Sequence, residues 1–419
     1  MPSRRAPGNG AGDPGTVVAL TQPLIFRKGL DMKEAVAGEL AAAYDSAIVD
    51  RVRGNDYRFE SGRLLVHLAR EFGFCYGVDR AVDYAYQARR RFPGRNVFLT
   101  GEIIHNPHVN DRLRDAGIRF LSDAGERGDL LGPEDVVILP AFGVTVGDMA
   151  QFSSQGCTLV DTTCGSVLNV WKNVVRYAMD GYTSVIHGKV KHEETRATAS
   201  QALKYPQGRY VIVLDREEAG VVCDFVRHGG DPAVFLERFA GACSPGFDPV
   251  RDLERVGCAN QTTMLMTESL EIGEMFRQAM TERYGVEALA HHFRAFDTIC
   301  SATQERQDAV IALLDTEPLD LMLVVGGYNS SNTCNLARIC AARVRTYHIA
   351  DPDCMVSSDE VRHRPVGAPS TTIGTEEVTR GWLPQTGRVV VGLTAGASTP
   401  NNIVGQVIKN LERFSADGG

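Results

Sequence analysis

The sequence lacks the features that mark exported and membrane-spanning proteins. Residues 1–15 contain no apolar stretch of the kind that a secretion signal needs, and no apolar run reaches the roughly 20 residues required to cross a bilayer. The chain nevertheless has ten cysteines. Without an export signal, these features predict a cytoplasmic protein whose thiols stay reduced and available for metal binding or catalysis.

Basic residues are also in deficit. The 44 Lys and Arg against 52 Asp and Glu give a formal net charge of -8. Nucleic acids and anionic membranes bind surfaces that concentrate Lys and Arg, so neither is an expected partner. Any anion that this protein binds therefore requires a local site.

Several short motifs are missing as well. No Cys-x-x-Cys pair occurs, which disfavours a zinc ribbon or a compact ferredoxin motif and means that metal-binding thiols would come from separate parts of the chain. No Walker A sequence is present, and the one Gly-x-Gly-x-x-Gly match, residues 10–15, lies in the Pro- and Gly-rich start rather than between a strand and a helix. The usual indication of a dinucleotide or nucleoside triphosphate site is therefore absent.

The sequence does contain an alternation of short apolar strands and helical segments, which predicts an α/β fold with short parallel sheets. The expected strands are residues 64–68, 97–99, 136–139, 183–186, 211–214, 321–325, 346–349 and 389–393. Ahead of them, the Pro- and Gly-rich start predicts a disordered tail. The apolar spacing of residues 32–53 predicts one amphipathic helix, as an accessory element.

Three cysteines occupy equivalent places at strand-to-helix turns. Cys75 lies between glycines, and Cys164 and Cys300 each follow an Asp-Thr-x sequence and precede a small residue and a helix. The positive end of a helix dipole lowers a thiol's pKa and favours the thiolate that binds metal. Three thiolates around an iron-sulfur cluster would leave one iron without a protein ligand, as substrate chemistry requires. The alternative is three unrelated buried cysteines.

Histidines and a carboxylate follow two other strands. His105 comes after the strand at 97–99, where α/β proteins often bind ligands. The segment His192-Glu193-Glu194 offers an imidazole for an anion and a carboxyl for proton donation. The plainer interpretations are a turn or cap for His105 and a solvated surface for the charged segment 189–196.

Small polar loops precede the last two helices. Ser330, Ser331 and Asn332 follow two glycines, and Ser398 lies in a similar loop. Hydroxyl and amide donors at a helix start suit a phosphate group. Thr262 adds a hydroxyl after an apolar segment. Helix capping is the competing explanation for Ser330, Ser331 and Asn332, and both functions can coexist. For Thr262 the competing explanation is an ordinary strand or cap position.

In their order along the chain, these motifs strongly resemble the 4-hydroxy-3-methylbut-2-enyl diphosphate reductase family, also called LytB. The resemblance runs from about residue 64 to the end and is carried by segments 73–81, 102–106, 161–164, 261–263, 329–332 and 394–398. The N-terminal extension and the added segment 351–384 resemble the cyanobacterial and plant branch of the family.

The resemblance implies a three-lobed, pseudo-threefold α/β fold around a central 4Fe–4S cluster. Cys75, Cys164 and Cys300 would hold the cluster, one from each lobe, and one iron would lack a protein ligand. The expected division is an N-terminal extension, partly disordered, at 1–62, followed by lobes at 63–164, 165–297 and 298–419.

The implied activity is reductive dehydroxylation of the family's substrate to isopentenyl and dimethylallyl diphosphates, the last step of non-mevalonate isoprenoid synthesis. A ferredoxin or flavodoxin-type donor would supply the electrons. Two alternatives stay open. An iron-sulfur hydro-lyase acting on a small phosphorylated substrate would need no reductant, and an iron-sulfur sensor would have no catalytic activity.

The resemblance also implies roles for individual residues. Glu194 delivers protons, because the family pattern is His, one intervening residue, then Glu, and Thr262 assists beside the substrate hydroxyl. The expected diphosphate ligands are His105, His192, Ser330, Ser331, Asn332 and Ser398. Two positions depart from the common pattern: Phe142 stands where many members have a diphosphate-facing His, and Gly165 where many have Pro.

Overall fold

The structure is a computed structural model that describes residues 24–123, 131–296, 300–368 and 375–416. The expected disordered tail falls on residues 1–23, outside the described residues, and so do Asp297, Thr298 and Ile299 of the third cysteine motif and residues 369–374 of the added segment. The strands are β1 (Ile25–Phe26), β2 (Arg58–Ser61), β3 (Leu64–Leu68), β4 (Val97–Leu99), β5 (Arg119–Phe120), β6 (Val136–Leu139), β7 (Thr158–Asp161), β8 (Thr183–His187), β9 (Arg209–Val213), β10 (Val256–Asn260), β11 (Phe293–Ala295), β12 (Leu321–Val325), β13 (Thr346–Ile349), β14 (Glu360–His363), β15 (Glu377–Arg380) and β16 (Val389–Ala395).

Helices alternate with these strands along most of the chain. They are α1 (Lys33–Tyr44), α2 (Ala47–Gly54), α3 (Tyr76–Arg91), α4 (Pro107–Asp115), α5 (Val146–Ser154), α6 (Gly165–Met179), α7 (Glu193–Ala202), α8 (Arg216–His228), α9 (Pro232–Arg238), α10 (Pro249–Asp252), α11 (Met266–Tyr284), α12 (Leu289–His292), α13 (Ser301–Thr316), α14 (Ser331–Ala341) and α15 (Asn401–Ala416). In the described part of the chain, no helix is both long and apolar enough to cross a membrane.

Three sheets organise the described residues. The first has the strand order β1-β7-β6-β4-β5, the second β11-β10-β8-β9 and the third β13-β12-β16-β3-β2, and a separate hairpin pairs β14 with β15. Within the three sheets every neighbouring pair is parallel except β2 with β3. Strands such as β8 and β12 are buried along their whole length, as expected where helices cover both faces. The α/β prediction is confirmed.

The sheets do not follow the expected division of the chain. Strand β3, expected to begin the lobe at 63–164, pairs instead with β16 of the third sheet, with Leu64 opposite Val389. The extension at 1–62 contributes β1 to the first sheet and β2 to the third. The single helix expected over 32–53 is also wrong, because the backbone is extended at Asp45 and Ser46 between α1 and α2. Asp and Ser favour helix ends over helix interiors.

The segment before β2 is part of the folded body rather than an accessory. Leu30 and Val36 are fully buried in the core of the first sheet, and Val49 is fully buried in the core of the third. The backbone N–H of Leu30 donates to the Gln87 side chain over 3.1 Å. We therefore expect the stability of both cores to depend on this segment.

Leu30 gives a direct test of that dependence. Replacing Leu30 with Ala leaves a cavity in a closed core, so the free energy of unfolding is expected to fall by about 2–5 kcal/mol in denaturant titrations. Leu24→Ala is the matched control, since Leu24 is 58% exposed. Its cost should stay below about 0.5 kcal/mol, and equal costs at the two positions would show that the segment is not packed.

Candidate active site

Three cysteines from three sheets line one cavity. Cys75, Cys164 and Cys300 are the residues that immediately precede α3, α6 and α13. The strands before these turns are β3 of the third sheet, β7 of the first and β11 of the second. All three thiols face the same cavity. Each sheet therefore delivers one thiol at a helix N-terminus.

Backbone packing holds the cysteine turns close together. A Cβ added at Gly77 would lie 2.5 Å from the Sγ of Cys164 and 3.9 Å from the Sγ of Cys75, so only glycine fits there. The buried guanidinium of Arg306 donates from Nη2 to the carbonyl of Gly73 over 2.7 Å and ties α13 to the Cys75 turn. The approach of the thiols is thus a built feature of the fold.

Thiol acidity differs from the sequence expectation. Burial raises the pKa of Cys75 and of Cys164, although hydrogen bonds from the backbone at the starts of α3 and α6 act in the opposite direction. The lowering expected from the helix N-terminus is therefore outweighed by burial for these two thiols. Buried thiols lose their protons readily when a cation takes the proton's place, so this environment suits metal binding.

The spacing of the thiols indicates what kind of metal group fits. Three thiolates on one zinc ion, each at about 2.3 Å, would lie within roughly 4.6 Å of one another. Among the residues that the structure describes, only His105, His192 and Glu193 place three possible ligand atoms within 4.8 Å of one another. The three thiols are therefore too far apart for one ion, and a multi-iron cluster fits them better.

A buried carboxyl group faces the same cavity. Glu194 is only 1% exposed, and its Oε1 accepts a hydrogen bond of 2.6 Å from the backbone N–H of Thr262. Burial raises the pKa of Glu194 to about 7, against the lowering effect of the Thr262 hydrogen bonds. Glu194 can therefore hold and release a proton near neutral pH. Thr262 also lines the cavity.

His105 and His192 form a directed hydrogen-bond chain. The Nδ1 of His192 accepts from the backbone N–H of Glu194 over 3.2 Å, which leaves the ring proton on Nε2. That Nε2 lies 3.1 Å from the Nε2 of His105, whose Nδ1 lies 2.7 Å from Glu102 Oε2. Burial lowers the pKa of His192 and keeps it neutral. His192 therefore directs its N–H at His105 Nε2 and offers no lone pair to a metal.

Phe142 occupies the wall beside these histidines. Its ring stacks on His105 with centroids 4.3 Å apart and meets His192 edge-on at 5.7 Å. The ring fixes the orientation of His105 but supplies neither a donor nor a charge. The departure from the common family pattern thus has a packing role in this chain.

A group of neutral donors, called here the cradle, lines the same cavity and consists of Ser330, Ser331, Asn332 and Ser398. Ser330, Ser331 and Asn332 stand at the start of α14, and Ser398 lines the same cavity. Asn332 Oδ1 accepts from the backbone N–H of Ala397 over 2.9 Å, while its buried Nδ2 has no partner among the described residues. An unpaired buried donor costs free energy unless a ligand accepts from it. With the helix N-terminus behind it, this cradle suits a phosphate group.

All eleven candidate residues from the sequence thus meet at one place. Ten of them line the cavity, and His192 reaches it through His105. The family model described as LytB protein matches residues 66–412 of the chain.

The chain belongs to the LytB family.

Named relatives agree with the family match. The chain is 49% identical over 392 residues to the 4-hydroxy-3-methylbut-2-enyl diphosphate reductase of Synechococcus sp. (strain CC9311), covering 93% of this chain and 95% of that protein. It is 48% identical over 401 residues to the protein of the same name from Gloeobacter violaceus, with 94% and 93% of the two chains covered. Among solved structures, the E-1-hydroxy-2-methyl-but-2-enyl-4-diphosphate reductase of Plasmodium falciparum shares the fold at a TM-score of 0.57 and 20% identity, covering 82% of this chain and 86% of that one.

The LytB chain also contains site residues that are not among the eleven candidates from the sequence. Glu102 orients His105, and Asn329 Nδ2 donates to Glu102 over 3.0 Å. Arg306 holds the Cys75 turn through the Gly73 carbonyl. Glu102 and Asn329 were detectable as polar residues beside the proposed ligands. Arg306 gave no signal, because an arginine in a helical pattern normally indicates a solvated face.

Proposed function

We propose that the chain is a 4-hydroxy-3-methylbut-2-enyl diphosphate reductase that forms isopentenyl and dimethylallyl diphosphates, the last step of the non-mevalonate isoprenoid pathway. One observation carries the proposal: three thiols, a buried carboxyl and a phosphate-type cradle face a single cavity. The family and the names of its relatives support the same activity. Anaerobic product analysis with the reconstituted protein and a low-potential reductant tests it.

The reaction replaces a C–O bond by a C–H bond. Two electrons and two protons enter, the hydroxyl leaves as water, and the C5 diphosphate remains. When bound by Cys75, Cys164 and Cys300, a 4Fe–4S cluster with one iron lacking a protein ligand would supply the electrons and a Lewis-acid position for the hydroxyl. The thiol spacing described above supports this cofactor.

Glu194 is the proposed proton donor. Its carboxyl is shielded from solvent, faces the cavity and has its pKa raised by burial to about 7. The Thr262 N–H holds one carboxylate oxygen in place over 2.6 Å. The Thr262 side chain, on the same wall, would orient the substrate hydroxyl.

The diphosphate would be held mainly by neutral donors. Proposed contacts come from Ser330, Ser331, Asn332 and Ser398, from the N-terminus of α14 and from the His105 and His192 pair. None of the described residues that line this cavity is Lys or Arg. Binding would therefore depend on preorganised dipoles, those of the neutral donors and of the helix N-terminus.

Electrons must come from outside the chain. We propose a ferredoxin or flavodoxin-type donor, because each turnover needs two low-potential electrons that the polypeptide does not store. A cytoplasmic location would keep the ten cysteines reduced.

Phe142→His tests the proposed diphosphate position. A protonated imidazole there would add a charge-assisted hydrogen bond worth about 1.5–3 kcal/mol, or roughly 10-fold or more in substrate Kd. The gain over the wild-type chain should appear at about pH 6 and vanish at about pH 8, where imidazole is neutral. Phe142→Leu is the control without a donor. Equal substrate affinity of the His variant and the wild-type chain at about pH 6 would place the diphosphate elsewhere.

A further inference from the structure

A second cavity lies beside the candidate active site. It encloses about 630 Å³ and is bounded by the loops after β8 and β9 of the second sheet, by α14 of the third sheet and by the segment after β14. Ser331 is the one described residue that lines both cavities. The second cavity therefore backs directly onto the proposed diphosphate cradle.

Cations converge on this cavity. Lys189, Arg338 and Arg364 line it, together with Arg216, which pairs with Glu271 over 2.8 Å. Within the described parts of the chain, neither the Lys189 ammonium nor the Arg338 guanidinium has a hydrogen bond or an ion pair. Arg364 is 4% exposed, donates to the backbone carbonyls of Tyr328 and Ala368, and places Nη1 3.3 Å from the Cys334 Sγ.

Two of the three carboxylates of the same wall have other partners. Asp215 accepts the backbone N–H of Glu218 at the start of α8, and Glu217 pairs with Arg238 at 3.2 Å. Glu268 is the remaining acidic residue of the lining.

Two charges near Lys189 have the same sign as its ammonium. Burial lowers its pKa, and the charges of Arg364 and Arg338 lower it further, while the opposing influence comes from the Cys334 thiol and not from a carboxylate. Lys189 and Arg338, which have no partner among the described residues, repel each other across this half-buried space, and a bound anion would offset that repulsion.

We infer that this cavity is a second anion site, which binds the phosphate or diphosphate group of a small phosphorylated molecule between Lys189 and Arg338, with Arg364 behind them. Lys and Arg are the side chains best suited to phosphate oxygens. The volume lies within the range of small-molecule sites. Inorganic diphosphate and a small phosphorylated metabolite would present the same phosphate oxygens to these side chains.

Such an anion would connect the two sheets next to the active site. The backbone N–H of Lys189 donates to Gln261 Oε1 over 3.2 Å, and Gln261 Nε2 donates to Ser331 Oγ over 3.3 Å. Occupancy of the second site would therefore bias the position of a residue in the diphosphate cradle. The site is distinct from the proposed catalytic function and does not depend on turnover.

Binding stoichiometry of inorganic diphosphate to the full chain tests the inference. The wild-type protein should bind two equivalents in calorimetric titration, one in each cavity. Lys189→Gln and Arg338→Gln should each weaken one of them by about 10-fold or more and leave the other unchanged. Lys191→Gln is the matched control, because Lys191 carries the same charge two residues away and does not line this cavity. It should retain both equivalents.

Other results would overturn the inference. In one such result, the wild-type protein binds a single equivalent of diphosphate and Lys189→Gln still binds it. In another, the wild-type protein binds two equivalents and neither substitution weakens either of them. If the active-site assignment failed instead, the wild-type protein would bind one equivalent and Lys189→Gln none, so the two failures differ. A third result would also contradict a small-anion site. If Lys189→Gln and Arg338→Gln slowed reduction of the protein by an acidic protein donor but bound diphosphate normally, the cations would serve to dock that donor.

Discussion

Replacing Cys75, Cys164 or Cys300 with Ser is expected to abolish turnover and iron retention together. Each substitution removes one of the three thiols that face the cavity. The loss in kcat should exceed about 100-fold, since even a change in groups that only support metal ligands costs about 10–100-fold. Iron and sulfide content, the visible absorbance of the cluster and kcat report the effect. Unchanged far-ultraviolet circular dichroism would show that the fold survives.

Cys243→Ser is the matched control for these variants. Cys243 is also a free, half-buried cysteine, and burial raises its pKa to about 12, but it does not line the cavity. Full iron content and activity are expected from this variant. If Cys243→Ser lost iron as severely as Cys75→Ser, or if any of the three cysteine variants retained full activity, the assigned ligand set would be incorrect.

Glu194→Gln should separate proton delivery from substrate binding. Gln keeps the shape of the side chain and can still accept from the Thr262 N–H, but it carries no acidic proton. Loss of a positioned proton donor lowers kcat by about 100- to 10,000-fold. Iron content and substrate Kd should change little, because the group touches neither the proposed cluster ligands nor the diphosphate cradle directly.

The neighbouring carboxyl provides the control for Glu194. The side chain of Glu193 is 56% exposed and approaches His105 Nε2 only at 3.7 Å. Glu193→Gln should therefore keep kcat within a few-fold of the wild-type value. A large loss at Glu193 combined with a small loss at Glu194 would reverse the assignment, and a loss of iron in Glu194→Gln would indicate a structural role.

The sequence predicted eight of the sixteen strands of the described residues, because the signals of those eight are local. An apolar run such as residues 321–325, bounded by polar turns, specifies a buried strand. Strand β10 was missed because Val-Gly-Cys-Ala-Asn contains a single β-branched residue. The family motifs predicted that Cys75, Cys164 and Cys300 hold one cluster, and the three cysteines line one cavity in the structure.

What the sequence could not predict depends on distant parts of the chain. The pairing of Leu64 with Val389 joins strands from opposite ends of the sequence, and no local pattern specifies that partner. The raised pKa values of Cys75 and Cys164 reflect burial by all three sheets, which outweighs the local helix dipole. The contact of Arg306 with Gly73 likewise exists only after α13 has packed against the Cys75 turn.

Anaerobic turnover of 4-hydroxy-3-methylbut-2-enyl diphosphate by the reconstituted protein, with and without a low-potential reductant, tests the central claim most directly. Both C5 diphosphate products should form, and only when the reductant is present. Dehydration without reductant would instead indicate a hydro-lyase. No product from protein with an intact cluster would contradict the proposed reductase activity and favour a non-enzymatic iron-sulfur sensor.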